Sequence, residues 1–250
     1  MRYILFTILI FLVFSCSSKR NIIYLQDIND TTIDNYDYKD IVIKPDDILN
    51  INISSSIPET TAEFNRESDS SGSSLELLQV NGYLVNNSGN ITFPVIGEIN
   101  LLGLTIKEAQ KKIYKLLEEK QLLIEHSVEI KILNSHITIL GEVKNPGRYN
   151  YLENNMNILK VIGMAGDLTI NGNRKDVKVI RQYNNKSIVK SIDLTTSAYL
   201  QSEVFHVLSG DIIIVNPNYS RIKSAGIIGN SGTLISLLSF LLSSIIIINN

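Results

Sequence analysis

One cysteine, Cys16, stands in 250 residues, and it closes an apolar run near the N-terminus. No disulfide can form within a single chain, so whatever folds here must be held by a hydrophobic core of ordinary size. The 44% hydrophobic content is sufficient for that. Met1-Arg2, the apolar residues 4–14 and then Ser15-Cys16 have the layout of an export signal. The run is about 11 residues, or roughly 16 Å as a helix, against the roughly 20 residues that a bilayer core requires. Val13-Phe14-Ser15-Cys16 places an aliphatic residue three before the cysteine and a small one just before it, which suits lipoprotein processing. The expectation is a signal peptide over 1–15 and a lipidated mature N-terminus at Cys16, which would fix the chain to a membrane. An ordinary signal with an incidental cysteine is the alternative.

The formal net charge is −2, from 23 basic and 25 acidic residues mixed along the sequence. Nucleic acid is not an expected partner, because it calls for a basic stripe interleaved with aromatics.

Residues 16–36 are polar apart from Ile22-Ile23-Tyr24-Leu25 and read as a tether leading off the lipid. A first unit is expected over 37–133. Ile41-Val42-Ile43 reads as a short strand and Lys44-Pro45-Asp46-Asp47 as a turn. Leu49, Ile51 and Ile53 then alternate with Asn50 and Asn52, the period of a half-buried strand. Residues 54–74 are rich in Ser, Thr, Glu and Asp and read as a mobile loop. Strands at 83–85 and 91–95 are expected to pair as a hairpin around 86–90, with Pro94 favouring an edge position, and 99–102 to form another strand. Thr105-Ile106-Lys107-Glu108 is a capping box, so a helix must begin there. Its Ile106, Ala109, Ile113 and Leu116 recur at three and four, the spacing of one apolar face. Val128, Ile130 and Ile132 form the closing strand.

A second unit is expected over 134–220. It reads as a strand at 137–140, a turn at Asn145-Pro146-Gly147 and a returning strand at 149–152. A short helix over 158–165 follows, capped by Asn157 and stopped at Gly166. Strands flank Asn184-Asn185, and a last one runs over 212–215. The combination is an α+β fold with mostly antiparallel strands.

Several motifs, in order, resemble the polysaccharide biosynthesis/export family. In the first unit they are the stretch 43–51 through Lys44-Pro45-Asp46-Asp47, then Gly89-Asn90-Ile91-Thr92-Phe93-Pro94-Val95-Ile96-Gly97, then Gly103-Leu104-Thr105-Ile106-Lys107-Glu108-Ala109. In the second, Gly141-Glu142-Val143-Lys144-Asn145-Pro146-Gly147-Arg148-Tyr149 and Gly210-Asp211-Ile212-Ile213-Ile214-Val215 resemble the SLBB-type β-grasp module named for soluble-ligand binding. These are turn and packing signatures that define a fold and not a reaction. Two positions depart from the family pattern. Asp46 replaces the glycine before the opening aspartate, and Asp167 replaces the second glycine after Ala165-Gly166. There is room for one β-grasp module.

Residues 221–250 form an apolar tail, free of charge beyond Lys223. Ile227 to Ile248 as one helix would reach roughly 33 Å, enough to cross a bilayer, and a C-terminal membrane-spanning helix is expected. Ala225, Gly229, Gly232, Ser236, Ser239 and Ser243 fall on one narrow face, as helix-packing or pore-lining candidates. Small residues are also common in any membrane helix, and Gly229-Asn230-Ser231-Gly232 can instead break this one.

His126, His136 and His206 are isolated, so no metal or other cofactor is expected. Asp46-Asp47 reads as turn and cap chemistry. No nucleophile with a base stands out, and the chain is expected not to be an enzyme. The resemblance implies an outer-membrane lipoprotein with most of its mass in the periplasm, assembled as a homo-oligomeric ring. That ring would pass nascent capsular or exopolysaccharide received from an inner-membrane polysaccharide copolymerase. The alternative is a lipid-anchored β-grasp module that binds a glycan or protein without a pore.

Overall fold

The computed structural model describes residues 21–28, 40–66, 79–183 and 186–219, together with Gly232, Ile235, Ser236, Ser239, Phe240, Ser243 and Ser244 of the tail. The expected signal peptide, Cys16, Ala225, Gly229 and the Asn184-Asn185 turn lie outside the described residues.

The alternation over 48–55 produces strand β1 (Ile48–Ser55), whose Leu49, Ile51 and Ile53 are buried while Asn52 and Ser54 face out. Strand β2 (Tyr83–Leu84) pairs with β1. Strands β3 (Asn90–Phe93) and β4 (Gly97–Asn100) form a separate antiparallel hairpin. The expected hairpin of 83–85 with 91–95 is therefore replaced by two different pairings. The cause is local: Asn86 accepts the amides of Ser88 and Asn90 on its side-chain oxygen and turns the chain away. Val85 meanwhile continues the β1 ladder through Asp46 and Asp47. Pro94 sits in the turn between β3 and β4, not on an edge strand. Residues 41–43 form no strand, only a bridge from Val42 to Thr105.

Helix α1 (Ile106–Glu119) begins at Thr105 with both halves of the capping box in place, the Thr105 hydroxyl accepting from Glu108 N and the Glu108 carboxylate from Thr105 N. Its Ala109, Ile113 and Leu117 are buried against the sheet closed by strand β5 (His126–Ile132), and each large aliphatic is worth about 1.5–3 kcal/mol of transfer free energy. Part of the expected mobile loop is packed: a 3-10 turn (Pro58–Thr61) leads to Phe64, which is buried in this first core.

The second core is built on a five-stranded sheet. Strands β6 (His136–Gly141) and β7 (Gly147–Asn150) come first, then helix α2 (Ile158–Met164), β8 (Gly172–Tyr183), β9 (Lys186–Ile192) and β10 (Ile212–Pro217), in spatial order β7-β6-β10-β8-β9. Only β10 with β6 is parallel; the other pairs are antiparallel. Asn157 caps α2 through Lys160 N. At the other end Gly166 N bonds Gly163 O and Asp167 N bonds Ile162 O, the paired bonds of a left-handed helix stop. The fold is α+β.

The expected C-terminal membrane-spanning helix over 221–250 is corrected. Among the described residues no helix is long and apolar enough to cross a membrane. Apolar composition over the tail was the basis of the expectation, and composition does not set the length of a helix.

Candidate functional site

Two constructions tie the molecule together, and both rest on residues outside the regular elements. The first is the joint between the units. Only Leu133, Asn134 and Ser135 separate β5 from β6. Asn134 accepts Ile48 N at 2.9 Å on Oδ1 and donates Nδ2 to Asp46 O at 2.7 Å, so one amide closes both sides of the opening turn. From the same turn Lys44 Nζ reaches Ser209 O at 2.9 Å in the second unit. Ser209 Oγ accepts His136 N, and Gly210 N bonds His136 O at 2.8 Å. A three-residue linker whose neighbours are bonded across it leaves little hinge freedom.

The turn itself explains the first departure from the family pattern. Asp46 has φ +67°, the left-handed value that follows proline in a type II turn and that glycine adopts most easily. Aspartate tolerates it at modest cost. Asp47 is 3% exposed and accepts Lys44 N at 2.9 Å, which makes it a turn cap. Burial pushes its carboxyl above the usual range, opposed by that amide.

The second construction is an N-terminal strap. Leu25 N bonds Leu194 O at 3.1 Å and Gln26 N bonds Thr195 O at 2.8 Å. The Asp27 carboxylate accepts both Ser197 N, at 2.7 Å, and Ser197 Oγ, at 2.9 Å, and these bonds hold it below the ordinary carboxylate value. Tyr24 and Leu25 pack against the second core. The Tyr24 hydroxyl donates to Asp167, and its ring lies 5.3 Å from the guanidinium of Arg174. Burial, with that bond to a carboxylate, drives the Tyr24 hydroxyl far above its ordinary value, so it stays a donor. Asp167, the second departure from the family pattern, has φ +78° and accepts Leu168 N at 2.7 Å as well as the Tyr24 hydroxyl. The carboxylate that a glycine would lack is the strap's anchor.

Residues 16–36 were expected to be a tether, and the structure docks 21–28 on the second unit. The signal for it was the Ile22-Ile23-Tyr24-Leu25 patch, whose target lies some 140–170 residues away in sequence. Of the small-residue seam, the structure brings Gly232, Ser236, Ser239 and Ser243 onto helical, exposed positions. The hydroxyls of Ser236, Ser239 and Ser243 each donate to a carbonyl four residues back, at 2.8–2.9 Å. Ala225, Gly229 and the lipidation candidate Cys16 lie outside the described residues.

The histidines stay apart. His126 stacks on Tyr114 with centroids 4.3 Å apart, His136 Nδ1 lies 3.0 Å from Asn134 O, and His206 packs edge-on to Phe205, burial lowering its pKa. Among the described residues no group of three or more His, Cys, Asp or Glu is placed to hold a metal ion.

Fold and joint define a chain of two α+β cores joined by a three-residue linker that hydrogen bonds span. Its sequence matches the polysaccharide biosynthesis/export protein family over residues 35–133 and the SLBB domain over 136–190. Together the two matches support a protein of the polysaccharide export family. It is 26% identical over 142 residues to the EPS I polysaccharide export outer membrane protein EpsA of Ralstonia solanacearum, covering 55% of this chain and 37% of that protein. Against the protein of the same name in Ralstonia nicotianae it is 27% identical over 106 residues, 41% of this chain and 27% of that protein. The chain thus spans well under half the length of these relatives.

Proposed function

We propose that the chain exports an extracellular or capsular polysaccharide, as a lipid-anchored outer-membrane protein whose two units face the periplasm. The observation that carries the reading is the order of the two family units along one chain, held by the short bonded joint. Passage of polymer requires no bond to be made or broken by the protein, and no catalytic residue is assigned. Copies of the chain form a ring around the polymer path, and an inner-membrane polysaccharide copolymerase delivers the polymer to it. The names of the Ralstonia relatives support export at the outer membrane.

Within this reading Cys16 carries the lipid, and the strap gives the anchor a direction. Four residues lie between Cys16 and Asn21, so the reach is at most about 18 Å. Since the strap grips the second unit, a lipid on Cys16 holds that unit near the bilayer. A single acyl-bearing site binds a membrane only marginally, so assembly of several copies adds the remaining hold.

Removal of the gene tests the reading. Surface polysaccharide is expected to be lost and polymer to accumulate in the periplasm, with both restored by the intact chain. Unchanged surface polymer would overturn export and leave a lipid-anchored binding module. Cys16→Ser is expected to abolish labelling by radioactive palmitate.

A further inference from the structure

The outer face of the first sheet carries a row of polar side chains that no part of the export reading uses. Register places Asn50 opposite Lys131 and Asn52 opposite Glu129, with their side chains on the face away from α1. Beside this row a cleft of about 260 Å³ is lined by Asn50, Asn52, Asn65, Arg66, Asn81 and Glu129, among others.

The cleft is built. Asn65 donates Nδ2 to Ile53 O and accepts Ile53 N on Oδ1, both at 2.8 Å, so it docks on β1 as a further strand residue would. Gly82 closes the floor; a Cβ there would lie 2.3 Å from Ile48 Cγ2. Arg66 is clamped from one side, Nη1 donating to Gly82 O at 2.6 Å and to Asn81 O at 3.3 Å, with the guanidinium 4.1 Å above the Tyr83 ring. Its Nε and Nη2 make no hydrogen bond among the described residues, and no carboxylate there pairs with it. Among the described residues the one acid lining the cleft is Glu129, which is paired with Lys131 at 2.8 Å. Among the described residues the cleft therefore presents a fixed cation with no carboxylate partner, whose outer edge matches a carboxylate's two oxygens.

Amides surround that cation. The Asn50 side chain makes no hydrogen bond among the described residues, and Asn52 spends one N–H on Ser54 Oγ at 3.3 Å. An amide offers donor and acceptor side by side, which is what neighbouring hydroxyls of a sugar ring require.

We propose that this cleft is a subsite for a carboxylate-bearing sugar residue of the exported polymer, with the carboxylate on Arg66 Nε and Nη2 and ring hydroxyls on Asn50 and Asn52. The inference rests on the polysaccharide export reading and adds to it the chemical class of the cargo. A row of weak subsites, one per copy, would hold an anionic chain without trapping it.

Titration of the full chain in detergent with tetragalacturonate tests this. Binding is expected, weakening about tenfold when the sugar carboxyls are reduced to alcohols, and by a similar factor in Arg66→Met. Asn50→Asp leaves the Arg66 clamp intact and is expected to weaken binding by charge repulsion, which keeps the test open if Arg66→Met misfolds. Equal affinity for acidic and reduced sugars, no effect of either substitution, or tighter binding of tetra-aspartate than of tetragalacturonate would each overturn the subsite. Loss of export on gene removal alongside unaltered export by Arg66→Met and Asn50→Asp would sink the subsite and leave the export reading standing.

Discussion

In the second unit an ion pair is drawn into the sheet, whereas the first unit keeps its arginine at the surface. Arg181 of β8 meets Asp211 with Nε to Oδ1 at 3.0 Å and Nη2 to Oδ2 at 2.7 Å, their side chains 16% and 2% exposed. Asp211 also accepts Leu208 N, and Arg181 reaches His206 O, so the pair braces the turn that launches β10. Arg174 is buried as well, beneath the strap. In the first unit Arg66 is equally well positioned, by two carbonyls and a ring, but faces solvent and lacks a carboxylate among the described residues. Charges closed off by partners fix a structure; a charge held in place and left open is a place to bind. In the proposed reading the second unit is the anchored platform, and the first is the part that meets the polymer.

The most severe way to break this contrast is to remove one side of the buried pair. Arg181→Met or Asp211→Leu alone is expected to cost about 3–5 kcal/mol, because the surviving charge is left buried. The double replacement is expected to lose only about 1–2 kcal/mol, mostly through the carbonyl and amide groups orphaned around the turn. Urea denaturation of the three variants measures this, and equal losses in all three would show that the pair is not the brace.

Gly141→Ala should come next. Its Cβ would stand 2.1 Å from Val215 O on β10, at a φ of +90°. A loss of about 2–4 kcal/mol is expected in the same measurement. The strap gives a smaller effect. Tyr24→Phe removes one half-buried hydrogen bond, about 1–2 kcal/mol, and should speed amide exchange at Leu25 and Gln26 by about 5- to 30-fold while the β8–β10 amides are unchanged. Asp167→Gly should loosen the strap similarly, since the anchor carboxylate is lost even as the left-handed backbone is relieved.

The smallest effect is in pH. The Asp27 carboxyl is held below its ordinary value of 3.8 by Ser197. Its contribution to docking is therefore present above that value and lost as pH falls through the lowered folded value. Strap amides should lose protection on acidification through that window before the sheet does; protection unchanged throughout would exclude a role for Asp27.

How much of this was legible depends on the reach of each interaction. The α1 capping box, the Asn157 cap, the Gly166 stop and the alternation of β1 use residues within a few positions of one another, and each was readable in the chain. The partner of β2 was not, because the period of a strand does not name its neighbour and Asn86 diverts the chain. Phe64 and Arg66 were hidden in a polar run whose composition resembles a loop. The tail misled for a related reason: apolar content was read as helix length.

By itself the sequence determined the order of the units, the α+β class and the turns, down to two aspartates, Asp46 and Asp167, at left-handed turn positions. The tertiary structure decided what those aspartates touch. Asp46 offers its carbonyl to Asn134 at the joint, and Asp167 receives the Tyr24 hydroxyl from 143 residues away. Local dihedral preference is written residue by residue, whereas a contact between distant segments exists only once the cores have brought them together, and the strap, the joint and the Arg66 cleft are all of that second kind.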